Sequence, residues 1–166
     1  MARAADTEFD EYVAARWPRL VRAAVLLGCS HHEAEDIVQS TLTRCLVKWS
    51  QVRRAKDRDA YVNRILVNTL IDSRRRRWTA EKPSDRVPDD SAPDGQVEVD
   101  LRDAVDRSLA RLNADQRVAV VLRYYLNLTE QQMATVLGVA PGTVKSRLSR
   151  ALQALAADPD LAQEAP

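Results

Sequence analysis

Apolar positions in the N-terminal part of the chain recur at helical spacing in three runs. The first, from about Thr7 to Leu27, places Phe9, Tyr12, Val13, Leu20, Ala24 and Leu27 on one side, and Gly28 ends it. The second opens on Ser30-His31-His32-Glu33, a pattern in which the serine caps the helix and the glutamate reaches back to it. It carries Ile37, Val38, Leu42, Cys45, Leu46 and Trp49. The stretch 50–56 breaks the spacing. Asp57 or Asp59 then caps a third run containing Tyr61, Val62, Ile65, Leu66, Thr69 and Leu70, which ends in Arg74-Arg75-Arg76-Arg77-Trp78. Cations suit the negative end of a helix dipole, but four in succession exceed what the dipole requires.

From Val99 onward the pattern predicts four shorter helices. The first covers 99–110. The second is capped by Asn113 with Gln116 and carries Val118, Val121, Leu122 and Tyr125. The third is capped by Thr129 with Gln132 and turns Met133, Ala134 and Leu137 inward. After a turn at Gly138, Pro141 occupies a first-turn position that tolerates its missing N–H. The fourth helix runs to about Ala156, with Val144, Leu148, Ala151, Leu152 and Leu155 as its inner stripe.

Between these blocks, residues 78–98 contain three prolines, several aspartates and almost no apolar side chains, a composition that cannot supply a core. The expected organisation is all-α: two small helical domains, 6–77 and 99–157, joined by a flexible acidic linker over 78–98. Only 4 glycines in 166 residues and an aromatic content of 5% agree with helices rather than sheets.

The net charge of +1 conceals an uneven distribution. Residues 1–77 hold 15 Lys/Arg against 10 Asp/Glu, residues 78–100 hold 2 against 7, and the remainder 8 against 7. A basic block beside an acidic spacer points to a polyanionic partner for the former. No apolar run is long enough to cross a bilayer, and the first residues lack the apolar core of a signal peptide, so a cytoplasmic location and no membrane insertion are expected. Cys29, His31, His32 and Cys45 invite a zinc reading, but Cys45 has no near partner to complete the paired spacing of a structural site. Two core thiols, and no metal or cofactor, are expected. Asp89-Asp90 falls in the linker and no other carboxylate set has the spacing of a metal-dependent hydrolase, so the chain reads as a non-enzyme.

The segment Thr129–Arg150 reads as a helix-turn-helix: a short capped helix, a glycine turn and a second helix with a polar outer face. Ala134 permits close approach of the two helices, and Val139 and Val144 fill the angle between them. Thr143, Lys145, Ser146, Arg147, Ser149 and Arg150 crowd the second helix's first turns, the part that enters the major groove in such motifs. Ala140 stands where a Ser or Thr cap would be expected.

Gly142-Thr-Val-Lys-Ser-Arg147, preceded by Leu126-Asn-Leu-Thr-Glu-Gln-Gln-Met133, resembles region 4 of the sigma-70 family. Ala34-Glu-Asp-Ile-Val-Gln39 followed by Leu42 resembles region 2.2, and Tyr61-Val-Asn-Arg-Ile-Leu-Val-Asn-Thr-Leu-Ile-Asp-Ser-Arg-Arg-Arg76 resembles regions 2.3 to 2.4. With only these regions, the chain is similar to extracytoplasmic-function (group IV) sigma factors, in particular an actinobacterial SigE-like subset. The resemblance implies a factor that binds core RNA polymerase and directs promoter-specific transcription initiation.

By the same resemblance, Asp36, Gln39 and Leu42 meet the clamp helices of the polymerase's largest subunit. The connection of about 50–59 holds a base of the −10 element, with Arg53, Arg54, Lys56 and Arg58 on the backbone and Tyr61, Asn63 and Arg64 along the strand. Asn68, Asp72 and Arg74, Arg75, Arg76 and Arg77 lie along phosphates of the −10 duplex. Lys145, Ser146, Ser149 and Arg150 read −35 base edges, with Thr143 and Arg147 on phosphates. Position 149 is often larger in relatives, so Ser149 has a shorter reach. Part of the surface near Val118, Val121, Leu122 and Tyr125 receives the flap of the second-largest subunit. An anti-sigma factor is a further candidate partner. The alternative is a stand-alone helix-turn-helix regulator that binds duplex DNA without polymerase.

Overall fold

A computed structural model describes residues 2–79 and 96–162, and every regular element among them is helical. The chain divides into two compact units, with the division between Pro88 and Asp89. Most of the expected linker, residues 80–95, lies outside the described residues. Its edges belong to the flanking helices, which run to Thr79 and begin at Gln96.

The N-terminal unit contains α1 (Ala2–Leu26), α2 (His31–Val47), α3 (Trp49–Arg54) and α4 (Arg58–Thr79). Gly28, at φ 96°, makes the turn out of α1 that a side chain would resist. Ser30 caps α2: its Oγ accepts from the Glu33 N–H, and the Glu33 carboxylate accepts from the Ser30 N–H. Asp57 caps α4 by accepting from the Ala60 N–H at 2.9 Å. Helices α1, α2 and α4 pack mutually, and α3 rests on α4. Leu27, Val38, Val52, Val62 and Leu66 are wholly enclosed, each such burial contributing roughly 1.5–3 kcal/mol.

Two sequence expectations need correction in this unit. The stretch expected to break the helical pattern is itself mostly the helix α3, because Trp49 and Val52, three apart, both face the core. The true connection is only Ala55–Asp57. Leu46, expected inside, is 48% exposed, and Val47 beside it is 82% exposed.

The C-terminal unit contains α5 (Gln96–Arg111), α6 (Ala114–Val120), α7 (Glu130–Leu137), α8 (Pro141–Ala156) and the one-turn α9 (Pro159–Ala162). A π-helical turn, Val121–Tyr125, continues α6. Both expected capping boxes form, Asn113 with Gln116 and Thr129 with Gln132. Gly138 ends α7 at φ 64°, ψ 35°, and Val144, Leu148 and Ala151 turn α8 onto its neighbours. Leu152, assigned to the inner stripe of α8, is instead 43% exposed. The periodicity gave no sign of α9. It is tied back by Arg111, whose guanidinium donates to Asp158 and Asp160, each at 2.7 Å.

Candidate nucleic-acid interface

The turn between α7 and α8 sets the presentation of α8. Gly138 takes the left-handed conformation, the Val139 N–H returns to the Ala134 carbonyl at 3.1 Å, and Met133 and Val144 are fully enclosed. With Val144, Leu148 and Ala151 inward, the opposite face of α8 presents Thr143, Lys145, Ser146, Ser149 and Arg150 to solvent. The Ser146 hydroxyl donates to the Thr143 carbonyl at 3.2 Å, a local bond that leaves its lone pairs outward. Arg147 differs from its neighbours. It is half-buried and pairs with Asp115, at the start of α6, at 2.9 Å. Ala140, as its identity requires, provides no side-chain cap to α8.

In the N-terminal unit the expected contact residues separate into three sets. Arg53, Arg54, Lys56, Asn68, Arg75, Arg76 and Arg77 are exposed, as are Asp36 and Gln39 on α2. Arg58, Tyr61, Arg64 and Arg74 are half-buried and engaged within the unit. Arg58 bonds to Glu8 at 3.0 Å, the Tyr61 hydroxyl donates to Gln51, Arg64 lies over the Tyr61 ring, and Arg74 donates to the Leu27 carbonyl. Leu42 and Asn63 are core positions, 5% and 6% exposed. Leu42 occupies the inward side of α2, and Asn63 follows Val62 into the core. Neither offers a surface contact in this conformation.

The arginine run at the end of α4 is less available than its sequence suggests. Arg77 forms an ion pair with Glu33, Arg76 donates to the Asp72 carbonyl, and Arg74 satisfies a carbonyl at the C-terminal end of α1. Arg75 is exposed.

Sequence reasoning overlooked the grip of α1 on the α3–α4 connection. Asp59 accepts the Arg16 Nε at 3.0 and 3.1 Å and the Tyr12 hydroxyl at 3.0 Å. Burial works to raise the Asp59 carboxyl, but the bonds from Arg16 and Tyr12 outweigh it and hold the group below its ordinary range. Burial, followed by the adjacent Asp59 charge, pushes the Tyr12 phenol upward. Glu8 pairs with Arg53 on one side of the connection and Arg58 on the other. The only sequence sign was that residues 8, 12 and 16 are spaced four apart.

Cys29 and Cys45 are both buried, and neither is in a disulfide. Burial pushes the Cys45 thiol up to about 11. Among the described residues, no group of His, Cys, Asp and Glu is arranged to hold a metal ion, and no helix is long and apolar enough to cross a membrane.

Comparison with known proteins covers both units. Residues 13–80 match Sigma-70 region 2, and residues 102–155 match Sigma-70, region 4. The RNA polymerase sigma-E factor of Streptomyces avermitilis is 34% identical, the match covering 93% of this chain and 87% of that protein. The ECF RNA polymerase sigma factor SigL of Mycobacterium tuberculosis is 34% identical, over 89% and 84% of the two chains. Among solved structures, the sigma factor RpoE of Bartonella quintana, in complex with the anti-sigma factor NepR, aligns with TM-score 0.69 and 29% identity over 89% of this chain and 94% of that one. These similarities run through both units, so the reading as a stand-alone regulator finds no support. The chain belongs to the extracytoplasmic-function sigma factors of the sigma-70 family and serves transcription initiation.

Proposed function

We propose that the chain divides promoter recognition between its units while core RNA polymerase carries both. The outer face of α8 reads the −35 element, with Lys145, Ser146, Ser149 and Arg150 on base edges and Thr143 on a phosphate. Arg147 reaches a phosphate only by giving up Asp115. The α3–α4 connection and the first turns of α4 hold the melted −10 strand, with Arg53, Arg54, Lys56 and Arg58 toward its backbone and Tyr61 and Arg64 along its path. Asn68 and Arg74–Arg77 follow the adjoining duplex, with Arg75 the principal phosphate contact. Unstacking a base costs a few kcal/mol, which the contacts at this connection must offset.

The observation that carries the reading is the polar outer face of α8. Five hydrogen-bonding side chains stand on it, opposite Val144, Leu148 and Ala151 in the core. Such a face matches the donor and acceptor pattern of the major groove.

Asp36 and Gln39 face the clamp helices of the polymerase's largest subunit, and the exposed Leu46 and Val47 extend that face of α2 with apolar area. Leu42 supports this surface from within. At the other unit, Val118, Tyr125 and the exposed Tyr124 are the candidates for the flap of the second-largest subunit, since Val121 and Leu122 are enclosed. A sequestering partner protein is the natural means of control, because the Bartonella relative was solved with one. The chain would act in the cytoplasm, with polymerase and DNA. It contributes no catalytic group of its own.

Run-off transcription on a genomic promoter library tests the proposal. Core polymerase with this chain is expected to start transcripts from a limited promoter subset sharing −35 and −10 elements. Specific duplex binding by the chain without polymerase, and no transcripts with it, would overturn the reading.

A further inference from the structure

The connection Ala55–Asp57 is three residues long and sits between two helices that end and begin with cations. Loops of this kind are ordinarily the least constrained part of a small helical unit. Here it is held from both sides by one helix. Glu8, Tyr12 and Arg16 lie one helical turn apart along α1 and form a ladder facing the connection. At one end the Glu8 carboxylate binds Arg53, in the last turn of α3, at 3.5 Å and Arg58, the first residue of α4, at 3.0 Å. At the other end Arg16 and Tyr12 together grip the Asp59 carboxylate. Between them the Arg58 guanidinium lies over the rings of Trp49 and Tyr12, 5.3 and 5.8 Å from their centroids. Phe9 meets Trp49 edge-on at 5.1 Å and supports that platform. Arg53, two residues before the bend, and Arg58 and Asp59, directly after it, are thus fixed by ion pairs, a phenolic hydrogen bond and stacked rings.

A cleft of about 600 Å³ opens at this point, lined by Tyr12, Arg16, Lys56, Asp57, Arg58 and Asp59. Its walls combine an aromatic ring, carboxylate acceptors and three cations. That chemistry suits a single unstacked nucleobase with its phosphate. Lys56 stands exposed at the tip of the bend, placed for the phosphate.

We propose that Glu8, Tyr12 and Arg16 are positioning residues for −10 recognition, holding the Ala55–Asp57 bend in its binding conformation before DNA arrives. The inference rests on the assignment of this connection to the −10 strand and extends it to α1, whose Tyr12 and Arg16 line one wall of the cleft and act through the bend. A bend held beforehand accepts only a base that fits it; a loosened bend adapts to several. The ladder therefore governs discrimination more than affinity for polymerase.

The test uses holoenzyme reconstituted from core polymerase and the full chain, with run-off transcription from promoters carrying each base at every −10 position. Tyr12→Phe keeps the ring and removes one bond to Asp59. Asp59→Asn removes the charge that Arg16 holds. Lys56→Ala alters the bend itself. The ladder predicts that Asp59→Asn narrows the ratio between best and worst −10 base by about tenfold. Tyr12→Phe should narrow it less, and the exchange of Arg16→Asp with Asp59→Arg should restore part of it. Holoenzyme assembly and −35 preference should stay within twofold of the parent.

If Lys56→Ala changes base preference while Asp59→Asn and Tyr12→Phe only lower the melting temperature, the ladder is structural and the inference falls alone. If none of the three changes base preference, the assignment of the connection to the −10 strand falls with it. Should Asp59→Asn fail to fold, Tyr12→Phe decides: a folded protein with unaltered base preference refutes the ladder.

Discussion

Arg147 on α8 pairs with Asp115, at the start of α6, at 2.9 Å. A cation on the helix proposed to enter the groove is thus spoken for by a carboxylate of its own unit. Asp115 is largely exposed, so the pair itself adds only about 0.2–1 kcal/mol to stability. Its larger effect falls on DNA. A phosphate that recruits Arg147 must displace Asp115, and Asp115 repels the backbone. Asp115→Asn is therefore expected to tighten holoenzyme binding to −35 duplex severalfold at low salt and to steepen the salt dependence of log K by about 0.9. Lys145→Ala should weaken the same binding without touching the fold. Titrations across a salt series check both; an unchanged slope in Asp115→Asn would show that Arg147 stays off the phosphates.

The four-arginine run makes a second prediction. Arg75 is exposed, whereas Arg74 satisfies the Leu27 carbonyl and Arg77 pairs with Glu33. Arg75→Ala is expected to reduce the salt slope of promoter binding by about 0.9 with no loss of stability. Arg74→Ala should instead destabilise the N-terminal unit by about 1–2 kcal/mol, because a charge-assisted bond to a helix-end carbonyl is lost. Neither change should alter −35 preference. Chemical denaturation and salt titration of the two variants separate these roles. Equal slopes and equal midpoints would contradict the division.

What was legible in the sequence was local. The capping boxes at Ser30, Asn113 and Thr129 could be read directly, because each rests on two residues three apart whose bonds need no tertiary partner. The glycine turn at 138 and the buried stripe of Val144, Leu148 and Ala151 followed from spacing in the same way. The six residues of α3 were missed because so short a helix carries too little periodicity: Trp49 read as the end of the preceding run, and Val52 shows as core only in the packed unit. Leu46 and Leu152 have the spacing of core residues, yet each lies at the edge of its stripe where no neighbour covers it. The engagements of Arg58, Arg77 and Arg147 join residues 50, 44 and 32 positions from their partners. A run of arginines reads the same whether it faces solvent or a carboxylate.

The start of α8 has room for improvement, which supplies a third prediction. Ala140 has the extended backbone of a cap, φ −67° and ψ 147°, but no side chain able to accept from the first turn. Gly142 carries no positive φ, and a methyl group there would meet nothing within 4 Å. Ala140→Ser is expected to stabilise the C-terminal unit by about 0.5–1 kcal/mol, and Gly142→Ala by about 0.4–1 kcal/mol through loss of unfolded-chain entropy. Gly138→Ala should have the opposite sign, because φ 64° places a β-carbon in the left-handed region. Thermal denaturation of the three variants gives the ordering. A neutral Ala140→Ser would mean that the first-turn amides are already satisfied, as the Thr143 N–H is by the Ala140 carbonyl at 2.9 Å.

The N-terminal unit should lose stability at both ends of the pH scale, through different groups. Asp59 has its carboxyl depressed in the folded state, so its contribution is present above the ordinary carboxylate range and lost as pH falls through the folded value. Asp59→Asn is expected to flatten the acid limb below about pH 4. Cys45 acts in reverse. Burial raises its thiol from 9.0 to about 11, so the folded state holds its proton more tightly than the unfolded chain. The resulting stability is complete below pH 9.0 and declines as pH rises toward about 11. Tyr12, also raised, extends the same decline to more alkaline pH. Cys45→Ala removes the thiol's share of the alkaline limb, at the cost of a small cavity. Because Cys45 is fully enclosed, it should also resist alkylation in the native protein at pH 8 and react only on unfolding. Midpoints measured from acid to alkaline pH, with thiol labelling at pH 8, test the assignment. Rapid native labelling of Cys45, or an alkaline limb unchanged in Cys45→Ala, would place the titrating group elsewhere.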